Sequence, residues 1–154
     1  MKVFLSDEQD LDVDASSLRA FAVAILDAEG FAPDTELAVI LVGREQMTEY
    51  NERFMERSGP TDVLAFPLED LQPGSAPRRL RGEPPVTLGD VFLCPAEIED
   101  RARREGFAFD DFLHLLLVHG VLHLLGYDHD ADDRADAMEK REDELLALIG
   151  RALQ

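Results

Sequence analysis

This chain of 154 residues contains one cysteine, no tryptophan and four histidines, and its basic side chains number fewer than half its acidic ones. A single cysteine, Cys94, rules out an intrachain disulfide and fits a reducing compartment. Lying beside Pro95, it reads as a small buried hydrophobe and not as a nucleophile. No apolar run approaches the roughly 18 residues that a membrane-crossing helix needs. The start of the chain turns acidic at Asp7 and Glu8 before a signal peptide could form, so the expected location is cytoplasmic. Bases are scarce: 15 against 33 acids gives a formal net charge of −18. Such a field repels polyanions at long range, so any nucleic-acid contact has to rest on a local basic patch. Thirteen of the 15 bases are arginine. Arg78, Arg79 and Arg81 fall in one loop, and Arg101, Arg103 and Arg104 in one helix. Each group reads either as a grip on phosphate or as a solvated face. Internal repeats and low-complexity tracts are absent, and the length suits one domain over residues 1–154.

Three of the four histidines sit in one window, at His119, His123 and His129. Residues four apart on a helix project from the same face, so His119 and His123 can offer two imidazoles to one point. Gly126 is a natural helix stop, able to take the left-handed conformation and turn the chain so that His129 returns to that point. Three nitrogen ligands with one position left open describe a catalytic metal site, not a closed structural one. The spacing resembles the metzincin pattern H-E-x-x-H-x-x-G-x-x-H, with one difference. Gly120 stands where those peptidases carry the glutamate that moves a proton. A metal site of that spacing without its base points to a different hydrolysis.

Periodicity supplies the scaffold. Strands are expected at Lys2 to Leu5, Glu36 to Val42, Asp62 to Phe66 and Thr87 to Leu93, the last two pairing antiparallel. A helix capped by Asp14, Ser16 or Ser17 runs to about Glu29, with Leu18, Phe21, Ala22, Ile25 and Leu26 on its apolar stripe. Another spans about Glu45 to Met55, with Met47, Tyr50, Asn51 and Phe54 on one side; a third begins at Pro95 and ends by Gly106. Asp110 or Asp111 is expected to cap a helix that continues to about Leu125 and is apolar nearly all round, hence buried. His114 points roughly 140° away from His119, so it reads as a core hydrogen-bonding group or a support for a ligand. A last helix, to about Leu153, turns Met138, Leu145, Leu148 and Ile149 inward, its charges read as a solvated face. Between Leu68 and Val86, proline, glycine and arginine without periodicity indicate a mobile loop, of a length that tends to be either functional or disordered.

The histidine window, with Pro60, Thr61, Asp62, Val63, Leu64, Phe66 and Pro67 and with Leu88, Gly89, Asp90 and Val91 upstream, resembles the YbeY family of bacterial endoribonucleases over most of the chain. The resemblance implies an α+β fold: a small mixed sheet of about four strands packed with helices, zincin-like, whose central buried helix carries two of the metal ligands. It implies a zinc-type divalent ion on His119, His123 and His129. It also implies a hydrolase that cleaves single-stranded RNA in maturation of the small-subunit ribosomal RNA 3′ end and in ribosome quality control. Ribosomal RNA and ribosomal particles are then the partners, with no membrane and no DNA expected. The family often has an arginine directly after the aromatic of the second helix. Met55 stands there, leaving Arg57 or Arg53 as the nearest substitute for contacting phosphate. Asp128 is the carboxylate closest in sequence to take a proton, or else to orient the neighbouring ligand. Three imidazoles also accept nickel, cobalt or copper. Two other functions fit the residues: an amide hydrolase on the same metal, which Gly120 opposes, and a metal-stabilised ribosome-assembly factor without turnover.

Overall fold

A computed structural model describes residues 1–77 and 82–152, so Arg78, Arg79 and Arg81 lie outside the described residues. The apolar run of β2 (Glu36–Val42) leaves no face for water. Leu37, Val39 and Leu41 enter one core, while Val42 and part-buried Ile40 enter another. A strand covered on both faces belongs inside a sheet. Accordingly, β2 pairs in parallel with β1 (Lys2–Glu8) on one side and with β4 (Thr87–Leu93) on the other. β3 (Val63–Pro67) pairs antiparallel with β4, giving the order β1-β2-β4-β3 with β3 at an edge. β1 runs to Glu8, beyond the expected Leu5. Its parallel ladder continues through exposed Ser6, Asp7 and Glu8, which carry no apolar signal.

Among the described residues five helices cover the sheet. α1 (Ala15–Ala28) is capped by Asp14, whose carboxylate accepts from the Ser17 backbone N–H at 3.1 Å. α2 (Arg44–Met55) lies on the face that holds Val42, Leu64, Phe92 and Cys94. α3 (Pro95–Glu105), α4 (Phe109–Leu124) and α5 (Asp132–Ala152) complete the set. α4 packs on β3 and β4 and is enclosed by α1, α3 and α5, as its all-round apolar surface requires. Gly120 permits the close approach: a Cβ there would lie 2.7 Å from Val91 Cγ1 and 3.1 Å from Val63 Cγ2. Among the described residues no single helix is long and apolar enough to cross a membrane.

Several local expectations need correction. The N-cap of α4 is Ala108, with no side-chain cap; Asp110 and Asp111 lie in its first turn, where they favour the positive end of the helix dipole. Leu148 is 47% exposed, because it lies at the margin of its helix's buried stripe, whereas Phe54 is 55% exposed in the last turn of α2 yet shares the side of Tyr50 and meets the Phe66 ring edge-on. His114 stacks on Phe21, with centroids 4.4 Å apart and planes within 6°, so an aromatic contact takes the place of the expected hydrogen bond. The charges of α5 are not all solvated. Arg141 pairs with Glu29 of the α1 C-cap, whose side chain is 6% exposed, and Glu142 turns inward. In the segment after β3, Leu71 and Gln72 pack on Gly126 at the end of α4.

Candidate metal centre

The last turn of α4 shapes the site. The Tyr127 N–H donates to the Leu122 carbonyl at 3.0 Å and the Gly126 N–H to that of His123 at 3.2 Å, the paired bonds of a Schellman end. Such an end needs a left-handed residue. Gly126 supplies it at φ +100°, where a Cβ would also fall 2.1 Å from the Leu71 carbonyl oxygen. The chain reverses here, and the His129 backbone N–H is held by Asp128 Oδ1 at 2.7 Å.

His119, His123 and His129 converge. One ligand nitrogen from each lies within 4.8 Å of the others. The Nε2 atoms of His119 and His123 are 3.1 Å apart, and ring centroids are separated by 4.7, 5.6 and 5.1 Å around the triangle. Three imidazoles on a tetrahedral zinc, with bonds of about 2.0–2.1 Å, would place nitrogens about 3.3 Å and centroids about 5 Å apart. The donor set and its spacing therefore fit a zinc-type ion. Burial pushes His123 below the ordinary histidine range, and the neighbouring His119 and His129 push it the same way. Asp128 and the Tyr127 backbone oppose them. The net effect keeps His123 in the neutral form that a ligand requires.

The cluster opens into a cleft of about 830 Å³ between the end of α4, the outer edge of β3 and the segment carrying Leu71 and Gln72. Arg57, Met55 and Asp128 line it, so two residues expected to serve the chemistry reach the cleft. Arg53 does not line it. It pairs with Glu49 at 3.9 Å and lies over the Phe54 ring, which leaves Arg57 as the cation near α2's end that shares the cleft with the histidines. Asp62, Glu69, Asp70 and Arg134 also line the walls. Position 120 faces the sheet, so no side chain from it can enter the cleft. His114 is absent from the cluster, as its helical phase requires.

The arginines of α3 are largely engaged within the fold. Arg101 pairs with Asp62 and Glu105, and Arg103 with Glu99, which favours the reading of a solvated, ion-paired face. Cys94 is fully buried, and burial raises its thiol above the usual range, an inert setting. Sequence reasoning missed one contact. Glu142 of α5 places Oε1 2.7 Å from His119 Nδ1, and its side chain is 13% exposed.

Comparison with known proteins agrees with this geometry. The family model described as endoribonuclease YbeY matches residues 4–150. A protein of Acidothermus cellulolyticus named endoribonuclease YbeY is 42% identical over 147 residues, covering 95% of this chain and 90% of its own length. Its namesake from Thermobifida fusca is 42% identical over 154 residues, covering 100% and 97%. The solution structure of a Thermotoga maritima protein superposes with a TM-score of 0.60 at 25% identity, covering 97% of this chain and 93% of that one. With the histidine spacing, the mixed sheet and full-length similarity all in agreement, this chain belongs to the endoribonuclease YbeY family.

Proposed function

We propose that this chain, as one hydrolase unit over residues 1–154, is a zinc-dependent endoribonuclease that cleaves single-stranded RNA in the cytoplasm. Its substrate on this reading is ribosomal RNA on ribosomal particles, in maturation of the small-subunit 3′ end and in ribosome quality control. The observation that carries the reading is the convergence of His119, His123 and His129 at the floor of an open cleft, in a chain whose relatives bear the endoribonuclease name. His119, His123 and His129 would hold the ion, which when bound supplies Lewis acidity toward a phosphoryl oxygen and acidifies a water.

The chain's own groups have separate tasks. Arg57, which lines the cleft, would neutralise charge on the phosphodiester, and its planar guanidinium can take two oxygens at once. Asp128 holds the His129 backbone in its turn, which supports an orienting role for its Oδ1. Its exposed carboxylate also borders the cleft, within the region where a proton must leave. A peptidase reading loses its base, because position 120 is closed by Val91 and Val63.

The test couples metal analysis to RNA cleavage. Purified chain should contain about one zinc per molecule and should cut unstructured RNA, chelator should abolish cutting, and zinc should restore it. His119→Ala and His123→Ala should lose both zinc and cleavage. Cleavage retained in the metal-free double variant would overturn the proposal.

A further inference from the structure

Glu142 occupies a place where a carboxylate is costly. The buried stripe of α5 runs through Met138, Leu145 and Ile149, all at most 2% exposed, and position 142 falls on it at the same helical phase. An apolar side chain there would complete the stripe. A largely buried carboxylate is instead paid for in lost hydration, and among the described residues the partner that meets it is the Nδ1 of His119 at 2.7 Å. α5 is held in register beside this contact by Arg141, which pairs with the buried carboxylate of Glu29.

The contact decides which proton His119 carries. An ionised carboxylate only accepts, so a neutral His119 facing it must bear its hydrogen on Nδ1. Its Nε2 then presents a lone pair, and it is this atom that lies 3.1 Å from Nε2 of His123. We propose that Glu142 is a positioning residue that fixes the Nδ1–H tautomer of His119 and so presets the three-histidine cluster for a metal ion. The inference rests on the cluster being a metal site, as argued above. It adds that the site is assembled by α5 as well as by the histidine helix, since carboxylates bound to ligand imidazoles set ring orientation and raise ligand basicity.

The test compares Glu142→Met and Glu142→Gln with the wild-type full chain. In metal-free protein near neutral to mildly alkaline pH, nitrogen-15 NMR should find His119 as the Nδ1–H tautomer in wild type. In Glu142→Met it should move toward the Nε2–H form. Zinc affinity, read by competition with a chelator, should fall about 10- to 100-fold in Glu142→Met. Glu142→Gln should fall less, because its carbonyl oxygen can still accept the bond. The melting temperature of metal-free Glu142→Met should equal or exceed that of wild type, because the thioether completes the stripe. A residue with only a structural role would give the reverse, lowered stability with wild-type zinc affinity. Wild-type zinc affinity in both variants, or an unchanged His119 tautomer in Glu142→Met, overturns the proposal while leaving the metal site intact. Should Glu142→Met not fold, Glu142→Gln decides by the same affinity measurement. A wild-type chain that takes up no zinc overturns the metal site itself, and the role of Glu142 with it.

Discussion

His114 and His123 are both held below the ordinary histidine value of 6.5, in each case chiefly by burial. For His114, Asp110 and Asp111 pull the other way without cancelling the effect. A lowered histidine pKa means that the unfolded chain binds more protons than the folded one between the two values. The stabilisation is therefore complete above about pH 6.5 and is lost as the pH falls through the lowered value. Metal-free protein should keep its melting temperature above about pH 6.5 and melt at progressively lower temperature as the pH falls below it. His114→Phe keeps a ring against Phe21 and removes one titrating group, so its melting temperature should vary less with pH. A profile as steep as that of wild type would refute the assignment. Which histidines cluster was legible from spacing alone, but the stacking of His114 was not, because Phe21 comes from a helix distant in sequence.

Between elements, the α4–sheet contact decides what position 120 can be. Alanine is the better helix former by about 1 kcal/mol. Against that gain, its Cβ would press on Val91 and Val63, and overpacking of this kind costs about 1–3 kcal/mol. Gly120→Ala should therefore destabilise the chain in urea denaturation despite the propensity gain. Val91→Ala should recover part of the loss in the double variant, since the two residues share one contact. Strictly additive effects would show that the contact is not what selects glycine. From sequence alone Gly120 was legible as a missing base, and its packing role appears with the placement of β4 and β3. Gly126 was legible as a helix stop from its local chemistry, but not the Leu71 carbonyl that closes over it.

Across the molecule, the net charge of −18 extends into the cleft, whose lining holds Asp62, Glu69, Asp70 and Asp128 against Arg57 and Arg134 as its cations. An anionic polymer gains little from such walls, so each cation near the histidines matters. Met55, 43% exposed and lining the cleft, offers a place to add one without disturbing the core. Met55→Arg should raise kcat/KM on single-stranded RNA. It should also steepen the dependence of log affinity on log salt by about 0.7, the increment for one further phosphate contact on a single strand. An unchanged slope would mean that the substrate backbone does not pass this wall.

The order of strands and helices, the buried α4 and the triad of His119, His123 and His129 were all written in the chain itself. They depend on short-range regularities: apolar spacing at 2 or 3.6 residues, glycine and proline at element ends, and ligands one helical turn apart. Tertiary structure alone decided that Glu142 meets His119, that Glu29 anchors Arg141, that β4 excludes a side chain at position 120 and that Arg57, not Arg53, borders the cleft. The physical reason is common to all four. Each is a contact between segments whose separation along the chain carries no periodic signal, so it comes into being only when the sheet and helices pack.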